Sequence, residues 1–101
     1  MEVVFDVEAR REVQEAAAYY EDCREGLGEA FLQAVENGVE QVRSHPLTWH
    51  PLKGHFRRYL VSRFPYGIIY ALHEKKIYVA AVMHLKRKPD YWRNRTPWGK
   101  S

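Results

Sequence analysis

The 101-residue chain has a single cysteine, Cys23. An internal disulfide and a multi-cysteine zinc site are therefore excluded. No apolar run approaches the roughly 20 residues of a membrane span. Met1-Glu2-Val3 opens the chain without the basic-then-apolar pattern of a secretion signal. Repeats and low-complexity segments are absent. His45, His50 and His55 share a loop region but lack recognised metal-ligand spacing, so neither a metal nor a cofactor is expected. The remaining composition, 46% hydrophobic and 14% aromatic, is too rich in core formers for a disordered chain. One soluble, cytoplasmic domain is expected, spanning 1–95, with a loose tail over 96–101 unless Trp98 docks.

Acidic residues are scarce in the second half. Residues 53–101 hold twelve Lys/Arg against two acids, Glu74 and Asp90, a net +10. Residues 1–52 hold four Lys/Arg against eleven acids, a net −7. Such asymmetry points to an anionic partner for the second half, either nucleic acid or an acidic protein segment. The plainer reading is that the two halves attract each other.

Val3-Val4-Phe5 reads as an edge strand, and Asp6 as the cap of the helix that follows. Ala9, Val13, Ala16, Ala17 and Tyr20 recur at helical spacing and predict a helix over about 8–23. Gly26-Leu27-Gly28 predicts a tight reversal. Leu27, Phe31, Ala34, Val35, Gly38, Val39 and Val42 predict a second helix, ending before Pro46. The short link makes the pair an antiparallel hairpin. Residues 46–54 read as loop. Arg57–Phe64, Tyr66–His73 and Ile77–His84 then read as strands, broken at Pro65 and at His73-Glu74-Lys75-Lys76. Pro89–Arg95 predicts one helical turn. The fold class is α+β: an N-terminal edge strand, a helical hairpin and a three-stranded antiparallel meander, in the order β-α-α-β-β-β.

Three groups of residues, in this order and on these elements, resemble the RelE/ParE superfamily of bacterial toxin–antitoxin toxins. The first is Ala16-Ala17-Ala18-Tyr19-Tyr20 with Gly26-Leu27-Gly28-Glu29-Ala30-Phe31. The second is Arg63-Phe64-Pro65-Tyr66-Gly67-Ile68-Ile69-Tyr70. The third is Val79-Ala80-Ala81-Val82-Met83-His84, then Lys86-Arg87-Lys88-Pro89 and Trp92. The resemblance implies a plasmid-stabilisation type toxin that inhibits growth, held in check by a cognate antitoxin. It also implies one of two targets. RelE-like members are mRNA interferases that cleave messenger RNA on the ribosome, and ParE-like members inhibit DNA gyrase. Fold alone does not choose between these.

Metal-free RNA cleavage needs a base, cations for the phosphorane and an acid for the leaving oxygen. His84 is a candidate base or acid, Arg87 and Lys86 candidate phosphate holders, and Tyr91 a candidate acid or stacking group. Arg58, Arg63, Lys88 and Trp92 complete the candidate contact set for nucleic acid or protein target. Each has a plain structural alternative: a satisfied histidine, a solvated basic face, an aromatic pair packed on the body. Cys23 is expected to be a small buried hydrophobe. One departure weakens the nuclease reading. Gly67 stands directly after Tyr66, where RelE-like nucleases usually carry an arginine. The Phe64-Pro65-Tyr66 step and the His84-x-x-Arg87 ending look more like the ParE branch, in which His84 and Arg87 are structural or contact residues.

Overall fold

The computed structural model describes residues 1–97. Its elements are β1 (Glu2–Phe5), α1 (Val7–Cys23), α2 (Leu27–Ser44), β2 (Pro51–Lys53), β3 (Phe56–Leu60), β4 (Tyr66–His73) and β5 (Lys76–His84). They form the expected α+β fold, with one five-stranded sheet in the order β1-β5-β4-β3-β2. The meander β3-β4-β5 is antiparallel. β1 joins its far side parallel to β5, Val3 beside Ile77.

The helix boundaries follow from caps. The Asp6 carboxylate accepts the Glu8 N–H at 2.8 Å, closing the start of α1. At the hairpin Gly26 adopts φ +87°, which L side chains rarely reach. The Glu21 carboxylate accepts the backbone N–H groups of Gly26 and Gly28, each at 3.0 Å. Cys23, the last residue of α1, is exposed at this tip. The expectation of a buried thiol is corrected: the helix ends before the apolar stripe returns to that position.

Both helices lie on one sheet face. An aromatic cluster joins them to it. Phe31, fully buried, lies 5.3 Å from Tyr20, 5.2 Å from Phe64 and 5.0 Å from Tyr66, ring centre to ring centre. Phe64 and Tyr66 face the same way because Pro65 lies between them. The Pro65 carbonyl, turned outward, accepts the Leu85 N–H at 2.9 Å. The Phe-Pro-Tyr step thus provides two core rings and one strand-end anchor.

β5 carries a bulge. Ile69 opposes Ala81 and Tyr70 opposes Val79, which leaves Ala80 as an extra residue. The bulge reverses the alternation of side chains. Val79 and Val82 face the helices, whereas Ala80 and Ala81 both join a second apolar cluster on the opposite face. Phe56, Ile69, Ala71, Tyr78 and Met83 belong to this cluster, and Trp92 covers it, 4.8 Å from the Phe56 ring.

Three boundaries differ from the sequence reading. The first meander strand stops at Leu60, because residues 61–65 turn, with Arg63 at φ 73°. The segment read as loop contains the short β2, paired to β3 through Pro51 and Arg57. Pro89–Arg95 forms successive turns and no helix; Arg93 N–H donates to the Asp90 carbonyl and Arg95 N–H to that of Trp92. Tethers to other parts of the fold hold this segment in place of helical bonding. Of the tail read from Thr96, Trp98 and the residues after it lie outside the described residues. No helix among the described residues is long and apolar enough to cross a membrane.

The β4–β5 turn stores strain. Glu74 and Lys75 have φ of 50° and 63°, so a two-residue hairpin turn of the primed type is made without Asn or Gly. The double variant Glu74→Asn, Lys75→Gly should raise stability by about 1 kcal/mol, read as an increased urea midpoint.

Candidate functional site

β1 ends at Phe5, and the chain turns away into α1 while β5 continues. Asp6 N–H still donates to the Val79 carbonyl at 2.9 Å. Beyond that point the edge of β5 has no neighbouring strand, and two side chains take the place of one. The Glu12 carboxylate accepts the Val82 N–H at 3.0 Å, and the Arg95 guanidinium donates to the Ala80 carbonyl at 3.1 Å. Glu12 and Arg95 also pair with each other at 3.1 Å.

Glu12 gathers more than this. Its second oxygen accepts the Tyr91 hydroxyl at 2.7 Å, and Arg87 approaches it at 3.4 Å. The Arg87 guanidinium lies over the Tyr91 ring, 3.8 Å from its centre. The Glu12 side chain is only 11% exposed, so these partners offset the cost of desolvating its charge. The sequence does hold a signal for this residue. Glu12 falls among Ala9, Val13 and Ala16, where a charge is out of place on an apolar stripe and calls for a buried partner. No pattern marks Arg95, because its role depends on where residues 85–95 cross back over the sheet.

His84 lies next to this hub. A cleft of about 190 Å³ between α1 and the strand ends is lined by Glu12, Glu15, Tyr19, Tyr66, His84 and Arg87, among others. The His84 ring meets Tyr66 edge-on at 5.2 Å. Its Nδ1 accepts the Lys86 N–H at 3.0 Å, which leaves the proton of the neutral ring on Nε2. His84, Arg87 and Tyr91, proposed from the sequence as a catalytic set, are thus brought together. Each is already engaged, however, in the contacts just described. Burial pushes the Tyr91 hydroxyl well above the usual tyrosine range, and its hydrogen bond to Glu12 and the Glu12 charge raise it further, against Arg87 and Arg95. A proton held so firmly is poorly suited to general-acid transfer.

The contact set divides. Trp92 is wholly buried against Phe56, so the expectation that it forms contact surface is corrected: its indole is core. Lys86, Lys88 and Arg63 are exposed and Arg58 is half-buried. The Arg58 stem lies over Gly67: a Cβ on Gly67 would stand 3.0 Å from Arg58 Cδ and 3.1 Å from Cγ. Among the described residues no three metal-ligating side chains converge.

The chain is thus an α+β domain with a helical hairpin on one sheet face and a basic strand-end cluster. The family model described as ParE toxin of type II toxin-antitoxin system, parDE, matches residues 3–89, and the chain belongs to that family. A solved structure described as the chromosomal ParDE TA system from P. aeruginosa has a TM-score of 0.66 to this fold at 18% identity. The match covers 85% of this chain and 97% of that one. At that identity the likeness speaks to the fold. A comparison with curated proteins finds no match.

Removing the Glu12 carboxylate should expose its importance. Glu12→Ala leaves Arg95 and the Val82 N–H without their acceptor and should cost about 3 kcal/mol in urea unfolding; Glu12→Gln, which keeps an acceptor, should cost clearly less.

Tyr78 resembles Tyr91. Burial first, and then its hydrogen bond to Asp6 and the Asp6 charge, raise its hydroxyl, with Arg95 opposing. Both tyrosines stay protonated in the folded chain at a pH where the unfolded chain has lost those protons. The unfolded state then binds fewer protons, so stability should fall as pH rises above about 10. Urea midpoints measured across that range should fall less steeply for Tyr91→Phe and Tyr78→Phe.

Proposed function

We propose that this toxin acts without catalysis, by binding DNA gyrase, and that a cognate antitoxin neutralises it by covering its basic surface. The observation that supports this reading is the state of the three side chains available for RNA cleavage. Tyr91 and Arg87 are bound to Glu12, and His84 Nδ1 is occupied by the Lys86 N–H. For RNA cleavage Tyr91 and Arg87 would have to leave Glu12 to meet the leaving oxygen and the phosphorane, and the open His84 nitrogen, Nε2, carries the proton of the neutral ring and so is not set to take one from the 2′-hydroxyl. A carboxylate beside the cations would also oppose an RNA phosphate.

Gly67 adds to the case. No cationic side chain projects from the position at which a RelE-like nuclease usually holds its arginine. Family membership supports the gyrase reading independently, because the match is to ParE toxins. Under this reading His84 and Arg87 shape a surface, Arg87 by resting on Tyr91 with about half of its side chain exposed.

Tightly controlled expression in a bacterial host, with pulse-labelling of DNA and protein synthesis, tests the reading. DNA synthesis should fall first. The variant Arg87→Ala should weaken inhibition by about tenfold, as a graded interface loss does, with the circular dichroism unchanged. If protein synthesis falls first, with cleaved messenger RNA, the nuclease reading replaces this one. If neither falls while soluble protein accumulates, the chain is a degenerate, non-toxic member.

A further inference from the structure

One face of α1 and one end of the sheet bound the cleft beside His84. Glu12, Glu15, Ala16 and Tyr19 follow one another at helical spacing, so they project from one side of the helix. Opposite them stand Tyr66 and His84, paired directly across β4 and β5. The two rings meet at 75° and make a corner. Ala16 and Val82, both buried, form the floor, and Tyr19, 64% exposed, stands at the mouth. At about 190 Å³ the space falls below the roughly 300 Å³ at which small-molecule sites begin. It suits one long side chain.

The charges around the cleft are unevenly matched. Arg87 approaches Glu12 at 3.4 Å and lies over the Tyr91 ring, while Arg95 pairs with the same carboxylate at 3.1 Å. Two cations thus answer one carboxylate. Glu15 has none. Among the described residues it forms no ion pair, and Arg11, one turn back on α1, is turned to Glu8 at 3.3 Å. The tyrosine oxygens add to the imbalance. Burial first, and then Tyr20, Tyr19 and Glu12, raise the Tyr66 hydroxyl. Surroundings that oppose a phenolate favour a positive charge. No three metal-ligating side chains converge among the described residues, so the cation that fits is organic. A guanidinium fits best, because it is flat enough to rest on aromatic rings and can give a carboxylate two parallel hydrogen bonds.

We propose that this cleft is a socket for an arginine side chain presented by a protein partner. The guanidinium donates to the Glu15 carboxylate and rests against the Tyr19 and Tyr66 rings, and the aliphatic stem lies across Ala16 and Val82. His84, with its proton on Nε2, donates to a carbonyl of the same partner. The inference goes beyond the gyrase reading and holds whichever protein brings the arginine.

The test uses the full chain, isotopically labelled, with N-acetylarginine amide as the probe and backbone amide shifts in NMR as the readout. Saturable shifts at millimolar probe are expected at Glu15, Tyr19, Tyr66 and His84. N-acetylcitrulline amide keeps the shape without the charge and should bind about tenfold more weakly. Glu15→Gln should weaken the arginine probe by about tenfold, and Tyr19→Ala by about threefold. Both side chains are exposed, so neither change threatens the fold, which circular dichroism checks. Glu36→Gln, at an exposed carboxylate on α2, is the control and should stay within about twofold of the parent. Four results overturn the proposal. The first is no saturable shift at these residues. The second is equal weakening by Glu36→Gln and Glu15→Gln, which means diffuse attraction to an acidic hairpin. The third is citrulline binding as well as arginine. The fourth is a stronger response of the same amides to inorganic phosphate, which assigns the cleft to an anion held by Arg87 and His84. The gyrase reading is decided separately, by the pulse-labelling, and survives the first three.

Discussion

A largely desolvated carboxylate, that of Glu12, holds this fold together at its weakest geometric point. β1 is too short to follow β5 to its end, so the backbone of Ala80 and Val82 loses its strand partner at the bulge. Glu12 and Arg95 supply the missing acceptor and donor, and their charges neutralise each other. The pair is what allows α1 to cross the sheet where a strand would otherwise run. It also fixes the C-terminal segment, since Tyr91 and Arg87 reach the same carboxylate. Three separate parts of the chain meet on one side chain. In a low-dielectric setting, loss of one member leaves the others desolvated and unpaired.

The same hub bears on function. Cations at the end of β5 look in sequence like a phosphate site. In the structure their availability divides according to distance from Glu12. Arg87 and Arg95 are held by it, and Tyr91 is tied to it by a hydrogen bond. Arg58, Arg63, Lys86 and Lys88 lie beyond its reach and form no ion pair among the described residues.

The two sheet faces carry different duties because the bulge at Ala80 shifts which β5 residues face each way. The helix side is closed by the Tyr20, Phe31, Phe64 and Tyr66 rings, with Gly28 allowing close approach of the helices. A Cβ there would meet the Ala17 carbonyl at 2.6 Å. The other side is half closed by Trp92 and half open around Gly67. Acidic residues are concentrated on the hairpin and basic ones on the sheet and its C-terminal extension. The charge asymmetry of the sequence thereby becomes a polarity of the molecule.

Much of this was legible beforehand. Helical spacing from Ala9 to Val42, the Asp6 cap, the Gly26-Leu27-Gly28 reversal and the apolar strands from Tyr66 to His84 determine the hairpin and most of the meander, because local periodicity and turn chemistry act over a few residues. The Phe64-Pro65-Tyr66 step and the half-chain charges also pointed to the family and to an anionic partner. Only the tertiary structure decided that Trp92 is core, that β2 forms, that Cys23 is exposed, and that Arg58 occupies the space above Gly67. Each depends on what distant segments place alongside. Glu12 shows the limit most clearly. Its position on an apolar stripe announces a buried partner, but Val82, Tyr91 and Arg95 lie 70 or more residues away, and no local rule connects them.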